Sequence, residues 1–274
     1  MTTVAAALAA VRAKLPASEA RLLLGHVLGR TPAWLIAHDD DGLNEEALLG
    51  FASLAARRAG GEPVAYLLGR REFFGRDFVV SPAVLIPRPE TELLVDLALV
   101  GVGDEGTANS AILDLGTGSG CIAITLALEI QGARVTAVDV SASALLVARR
   151  NADRHGAALR FLQSDWFGHL AGERFDLIVA NPPYIADEDP HLAAGDLRHE
   201  PPAALSSGTD GLDAIRRIVA DAPAHLAPGG RLLLEHGCDQ GAAVRGLLES
   251  AGLTRVEQHR DLAAIVRVSG GSAA

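Results

Sequence analysis

The chain changes its hydrophobic period once along its length. From Val4 to about Leu68, apolar residues recur at helical spacing in LAAVRAKL, in SEARLLLGHVLG, where Ser18 is placed to cap the first turn, and in NEEALLGFASLAARRAG, which Gly60 and Gly61 close. No strand pattern interrupts this stretch, so a small helical domain is expected over residues 1–70. Next, EFFGRDFVV holds two short β-prone pieces about Gly75, Arg76 and Asp77 and reads as a hairpin in a linker, residues 71–89. After residue 90 come AILDL, ARVTAVD, ALRFLQ, FDLIVA and GRLLLEHG, short apolar runs separated by helical patterns or loops. Buried parallel strands have this form, and their alternation with helices implies right-handed crossovers. Residues 90–274 are therefore expected as an α/β domain around a doubly wound, mostly parallel sheet. LTRVEQHR and LAAIVRV lie too close together for a helical crossover and are expected as an antiparallel hairpin at its edge, making seven strands. GDEGTANS reads as a loop before the first sheet strand, and SGGSAA as a frayed tail.

Composition narrows the function classes. Of the 274 residues 49 % are hydrophobic and 4 % aromatic, so the core must be Ala, Leu and Val with few rings. A net charge of −10 repels a phosphate backbone unless basic residues are segregated on one face. Arg12 and Lys14 interrupt the apolar N-terminal stretch, which reads as an amphipathic helix and not as a signal peptide. No uncharged apolar run reaches the roughly 18 residues of a spanning helix. Cys121 and Cys238 are too few for a disulfide framework, so a reducing cytoplasm is expected, and the nine histidines show no metal-ligand spacing. His236, followed by Gly237 and Cys238, reads as packing at a strand end.

Two loops carry chemistry. In ILDLGTGSGCIAITLALE a strand runs into Gly116, Thr117, Gly118, Ser119 and Gly120 and then a helix. A dinucleotide loop wants its third glycine one residue later, where a pyrophosphate meets the helix N-terminus. The earlier glycine suits S-adenosylmethionine, which has an amino-acid moiety and a ribose and no phosphate. Asp139 ends the next strand, placed to accept from both ribose hydroxyls, and Gln163, Ser164, Asp165 and Trp166 end the one after. Trp166 there is a face for adenine or a packed surface aromatic.

The second loop, Asn181, Pro182, Pro183 and Tyr184, ends the fourth strand. Two prolines stiffen it and offer no N–H. An NH2 group on a planar carbon has two donors and calls for two acceptors, which the Asn181 side-chain oxygen and the Pro182 carbonyl supply. An amide nitrogen is a poor nucleophile because its lone pair is delocalised. Acceptors on both N–H bonds return density to it, and Tyr184 can stack on the flat group. Asn181 and Pro182 are thus the catalytic candidates, Asn181 through Tyr184 the substrate-binding ones, and Asn181 a cofactor-binding candidate as well. A tight turn with a buried tyrosine is the plain alternative.

These residues resemble the class I methyltransferases that modify exocyclic or amide nitrogens. With LIPRPETELLVDLAL, GEPVAYLLGRREFF, EPPAALSSGTDGLD and PGGRLLLEHG, nearly the whole chain is similar to the HemK/PrmC type of protein-(glutamine-N5) methyltransferase. The resemblance implies a Rossmann-like methyltransferase domain and an N-terminal domain that docks the substrate. It also implies S-adenosylmethionine as cofactor, and as substrate the glutamine of the Gly-Gly-Gln motif in peptide chain release factors. Carried over, Gly116 through Gly120 embrace the cofactor, Asp139 its ribose and Trp166 its adenine, while Asn181 through Tyr184 hold the glutamine amide. Neither direct nucleic-acid binding nor a membrane is expected, and the chain is expected to be monomeric. Glu90 stands where an aspartate is more usual, and Arg260 to Ala264 lack an expected glycine. Arg88 and Glu90 gate the pocket mouth or cap the helix from Thr91, and the loop Glu200, Pro201, Pro202 lies near the pocket or is a surface turn. The rivals are a methyltransferase acting on adenine N6 or guanine N2 of a flipped base, and an NAD-binding oxidoreductase or silent binding module on the same fold.

Overall fold

The computed structural model describes residues 1–103 and 109–274, so most of the loop expected ahead of the first sheet strand, residues 104–108, lies outside the described residues. Met1–Arg70 and Arg71–Ala274 form two compact units. The first holds helices α1 (Val4–Val11), α2 (Ala17–Leu28), α3 (Pro32–Ala37), α4 (Glu45–Ala59) and α5 (Val64–Leu68) around Leu23, Leu24, Leu35 and Phe51. Local chemistry sets their starts: Thr31 accepts from the Trp34 N–H at 3.2 Å and Asn44 from the Ala47 N–H at 2.8 Å. Ser18 is not the cap of α2; Pro16 occupies that position and Ser18 falls in the first turn. Proline needs no partner for an N–H it lacks, which is why a helix starts well beside it.

The hairpin follows as β1 (Arg70–Phe73) and β2 (Arg76–Val79). Its turn lies at Phe74 and Gly75, one residue earlier than the sequence suggested, and both have positive φ, 50° and 73°. A two-residue turn of that hand matches the twist of the strands it joins.

The rest of the second unit is α6 (Glu92–Gly103), β3 (Ala111–Leu115), α7 (Cys121–Glu129), β4 (Arg134–Asp139), α8 (Ala142–His155), β5 (Arg160–Gln163) and β6 (Phe175–Ala180). It continues with α9 (Asp213–His225), β7 (Leu226–Glu235), α10 (Gly241–Ser250), β8 (Thr254–Arg260) and β9 (Val266–Ser272). The seven-stranded sheet runs β5-β4-β3-β6-β7-β9-β8, parallel through β7, with β9 antiparallel to β7 and β8 antiparallel to β9. Successive strand residues face opposite layers: Ile112, Leu177 and Leu233 join the core on one side, Leu113, Ile178 and Leu232 that on the other. The order reverses between β3 and β6, the switch point where open α/β sheets bind ligands beyond the strand carboxyl ends.

SGGSAA is not a frayed tail. Ser269 to Ser272 are strand residues paired with Arg231 to Leu234 of β7. The reason is a close backbone approach: a Cβ at Gly270 would stand 2.6 Å from the Leu232 carbonyl oxygen, so glycine is what lets the two strands meet. Among the described residues no helix is long and apolar enough to cross a membrane.

Candidate active site

Sheet register assembles the site. Leu115 pairs with Val138 on one side and Ala180 on the other, and Ala180 pairs with Leu234. The residue following each is Gly116, Asp139, Asn181 or Glu235, so four positions far apart in sequence share one row at the carboxyl edge of the sheet.

Around Gly116 the chain turns onto β4: the Gly116 and Thr117 N–H groups both donate to the Val138 carbonyl at 2.9 Å. Gly116 has φ 73°, and a Cβ there would lie 3.4 Å from the Trp166 ring, so only glycine leaves the loop face bare beneath that ring. Asp139 locks the loop from the other side. Its Oδ2 accepts the Gly118 N–H at 2.9 Å and its Oδ1 the Ser141 N–H at 2.8 Å, while burial pushes its pKa above the usual carboxylate value. Thr117 turns inward, donating to Asp114 at 2.7 Å; Asp114 is wholly buried, and burial raises it to about 7. The Ser119 carbonyl accepts from Asn151 at 2.8 Å, and Gly120 opens α7.

The structure therefore divides the candidate residues. Gly116, Gly118, Asp139, Trp166, Asn181 and Pro183 line one cavity of about 310 Å³. Thr117, Ser119 and Gly120 do not line it and instead shape the loop from below. A second cavity of about 60 Å³ is lined by Asn181, Pro182 and Tyr184 with Leu85, Arg88 and Leu205. Asn181 belongs to both walls, together with Leu85 and Ala204. Its Nδ2 donates to the Thr91 hydroxyl at 3.1 Å, leaving Oδ1 as the end not so engaged. The Tyr184 hydroxyl donates to Glu235 Oε1 at 3.4 Å, and burial with that neighbouring carboxylate pushes the phenol pKa up. The Tyr184 carbonyl is held by Gln240 at 2.9 Å.

Residues 82–85 form a wall of the larger cavity facing Pro201, Ala203 and Ala204. One buried side chain clips the two segments together: Glu200 Oε2 accepts the Ile86 N–H at 2.9 Å and Oε1 pairs with the Arg88 guanidinium. Glu200 is thus no surface turn, and Arg88 lines the smaller cavity while tied to it. Glu90 is exposed in the 3-10 turn Pro89–Thr91. Replacing Glu200 with Ala strips the buried Ile86 N–H of its partner, a cost of about 1–3 kcal/mol. Arg88 is 30 % exposed, so its lost ion pair adds little. Scanning calorimetry should show the unfolding midpoint falling by several degrees; an unchanged midpoint would mean that no such clip operates.

Sequence reasoning passed over Thr91, Glu235 and Asp114. Thr91 was noticed only as the start of the helix that follows Arg88 and Glu90. Glu235 carried the same signal as Asp139, an acidic residue ending a buried apolar strand on the ligand side of the sheet. His236 packs as expected, its Nε2 2.8 Å from Ser269 Oγ on β9.

A nucleoside-sized cavity at the switch point, sharing an asparagine wall with a much smaller one, is the working arrangement of a class I S-adenosylmethionine-dependent methyltransferase. The Methyltransferase small domain matches residues 93–209, and the PrmC N-terminal domain residues 1–69. A release factor glutamine methyltransferase of Bordetella pertussis is 55 % identical over 94 % of this chain and 95 % of its own. One from Burkholderia pseudomallei is 55 % identical over 94 % and 92 %. Among solved structures, the 16S rRNA N2 G1207 methyltransferase of T. thermophilus, in complex with AdoMet and guanosine, has a TM-score of 0.57. At 23 % identity, covering 75 % of this chain and 50 % of that one, it speaks for the fold alone. The chain belongs to the release factor glutamine methyltransferase family.

Proposed function

We propose that this protein methylates the side-chain amide nitrogen (N5) of the glutamine in the Gly-Gly-Gln motif of peptide chain release factors, with S-adenosylmethionine as donor. The observation that carries the reading is Asn181 in the wall common to both cavities. The smaller one, about 60 Å³, has the Asn181 amide and the Pro182 and Tyr184 residues on one wall, the groups a carboxamide needs. The release factor methyltransferase relatives, alike over 94 % of the chain, favour the protein substrate over a nucleic-acid base.

The larger cavity fits the donor's chemistry. Among the described residues lining it there is no Lys or Arg to meet a phosphate, while Asp139 and Asp165 contribute carboxylates suited to a diol and a cation. A bare glycine loop lies on the same wall. Gly116, Gly118, Asp139 and Trp166 would hold the cofactor, with Thr117, Ser119 and Gly120 supporting the loop. When bound, it supplies an electrophilic methyl group on a sulfonium.

The chain's own part is orientation. Asn181 Oδ1 and the Pro182 carbonyl accept the two N–H bonds of the glutamine amide, and Tyr184 lies along its flat face. These acceptors bind more strongly as the nitrogen becomes positive during attack, so they stabilise the transition state more than the ground state. Pro182 and Pro183 keep the acceptors still, which shortens the search for in-line geometry. A translation factor as substrate supports a cytoplasmic site, and action as a monomer is part of the proposal.

Labelled-methyl transfer to a purified release factor, followed by mass spectrometry of the Gly-Gly-Gln peptide, should locate one methyl on the glutamine. Label entering DNA or RNA alone would overturn the protein-substrate reading.

A further inference from the structure

Among the described residues, 80–88 belong to no helix or strand, so no ladder of backbone bonds sets their course between β2 and the 3-10 turn at Pro89. Yet this stretch supplies Pro82, Ala83, Val84 and Leu85 to the larger cavity. Val80, Val84 and Ile86 are buried, but apolar packing is non-directional and does not by itself fix a backbone's place. The direction comes from hydrogen bonds at the two ends.

Helix α8 holds the first end. Ala144, Ala148, Asn151 and His155 recur at helical spacing and so lie along one stripe. Ala144 lines the cavity, and Ala148 lies so close to the glycine loop that a Cβ added to Gly120 would stand 3.1 Å from its own. Asn151, wholly buried, uses its whole amide. Its Oδ1 accepts the Val79 N–H at 2.7 Å, and its Nδ2 donates to the Val79 carbonyl at 3.0 Å and to the Ser119 carbonyl at 2.8 Å. Two carbonyls only accept and an N–H only donates, so these partners settle which way the amide faces. One turn further on, the His155 ring meets the Asp77 carbonyl at 3.0 Å. Asn151 thus pairs with Val79 as a neighbouring strand would, and its second proton ties the same point to the glycine loop. Glu200, 3 % exposed, holds the other end through the Ile86 N–H at 2.9 Å.

We infer that Asn151 and Glu200 are positioning residues for the cofactor: they pin residues 80–86 as a strap at a fixed distance from the glycine loop, so that the larger cavity keeps its binding shape. Neither side chain lines that cavity, and each acts through the backbone it holds. A site whose wall is in place only part of the time binds with an affinity reduced by that fraction. Releasing either end therefore raises the dissociation constant, whereas saturating donor restores the wall and with it the rate. The inference rests on the larger cavity holding S-adenosylmethionine and is independent of which acceptor is methylated.

Three variants test it, each with S-adenosylmethionine affinity by calorimetry well below the unfolding midpoint, the midpoint itself, and kcat on the release factor at saturating donor. Asn151→Ala frees Val79 and Ser119 together. Its dissociation constant should rise about 10-fold, since a typical hydrogen bond shifts an equilibrium by roughly a factor of five and more than one is lost. Its kcat should stay within about 3-fold of wild type, because bound donor restores the wall. Glu200→Ala frees the other end at Ile86 and should raise the constant about 5-fold. Leu248→Ala is the control: wholly buried in α10 and outside both cavity linings, it should lower the midpoint as far or further and leave the constant at its wild-type value. Wild-type affinity in either strap variant would overturn the inference. So would an equal loss in Leu248→Ala, since general loosening and not the strap would then be the cause. If Asn151→Ala does not fold, the comparison of Glu200→Ala with Leu248→Ala decides. A wild type that binds no S-adenosylmethionine would instead remove the cofactor assignment, a result distinct from a binding wild type with indifferent variants.

Discussion

Replacing Asn181 with Ala is expected to lower kcat by about 10²–10³-fold, the loss seen when one preorganised partner of a developing charge is removed. Three features set that size. Asn181 stands in the wall common to both cavities, so the oxygen lost is the one beside the methyl donor. The Pro182 carbonyl remains but can engage only one of two N–H bonds, leaving the nitrogen lone pair more fully delocalised. Thr91, 2 % exposed, loses the Asn181 N–H that it accepts. Cofactor affinity should change little, because Asn181 meets the larger cavity only along the wall it shares with the smaller, far from the Asp139 anchor. Single-turnover rates at saturating S-adenosylmethionine, paired with calorimetry, separate the two. Near-normal turnover would remove the two-acceptor account, and a matching loss of cofactor affinity would move Asn181 from acceptor to donor recognition.

What could be read from the sequence, and what could not, follows from where the information lies. Strand ends were legible because apolar runs stop abruptly: Asp139 after RVTAV and Asn181 after FDLIVA announce themselves within a few residues. The two cavities that meet at Asn181 depend on register, since only the pairing of Leu115 with Ala180 and of Ala180 with Leu234 brings Gly116, Asn181 and Glu235 side by side. Glu200 and Arg88 are 112 residues apart, and no periodicity links an acidic residue in one loop to an N–H in another. The last four residues of the final strand were missed for the opposite reason: Gly270 and Gly271 present no side-chain pattern, and the close backbone approach that needs them is invisible until the partner strand is in place.

Asp139→Asn tests the other half of the site and should weaken S-adenosylmethionine binding by about 10²-fold. The carboxylate now accepts from Gly118 at 2.9 Å and Ser141 at 2.8 Å with both oxygens, and still has lone pairs to offer a ribose diol. Asparagine keeps the shape but turns one oxygen into an NH2 that must face a backbone N–H or the diol, donor against donor. Hydrogen bonds to a charged group contribute about 1.5–3 kcal/mol each, so losing one or two accounts for the expected change at 1.4 kcal/mol per tenfold. Turnover at saturating cofactor should stay within reach of wild type, because the acceptor cavity does not include Asp139. The pH dependence supplies a second reading. Burial raises the Asp139 pKa, and the ionised form is the one that accepts from the diol. Wild-type affinity should therefore be full above that raised pKa and fall as pH drops through it, while the variant, with nothing to titrate there, should lose this step. A variant whose affinity and pH profile both match wild type would place the ribose elsewhere in the larger cavity.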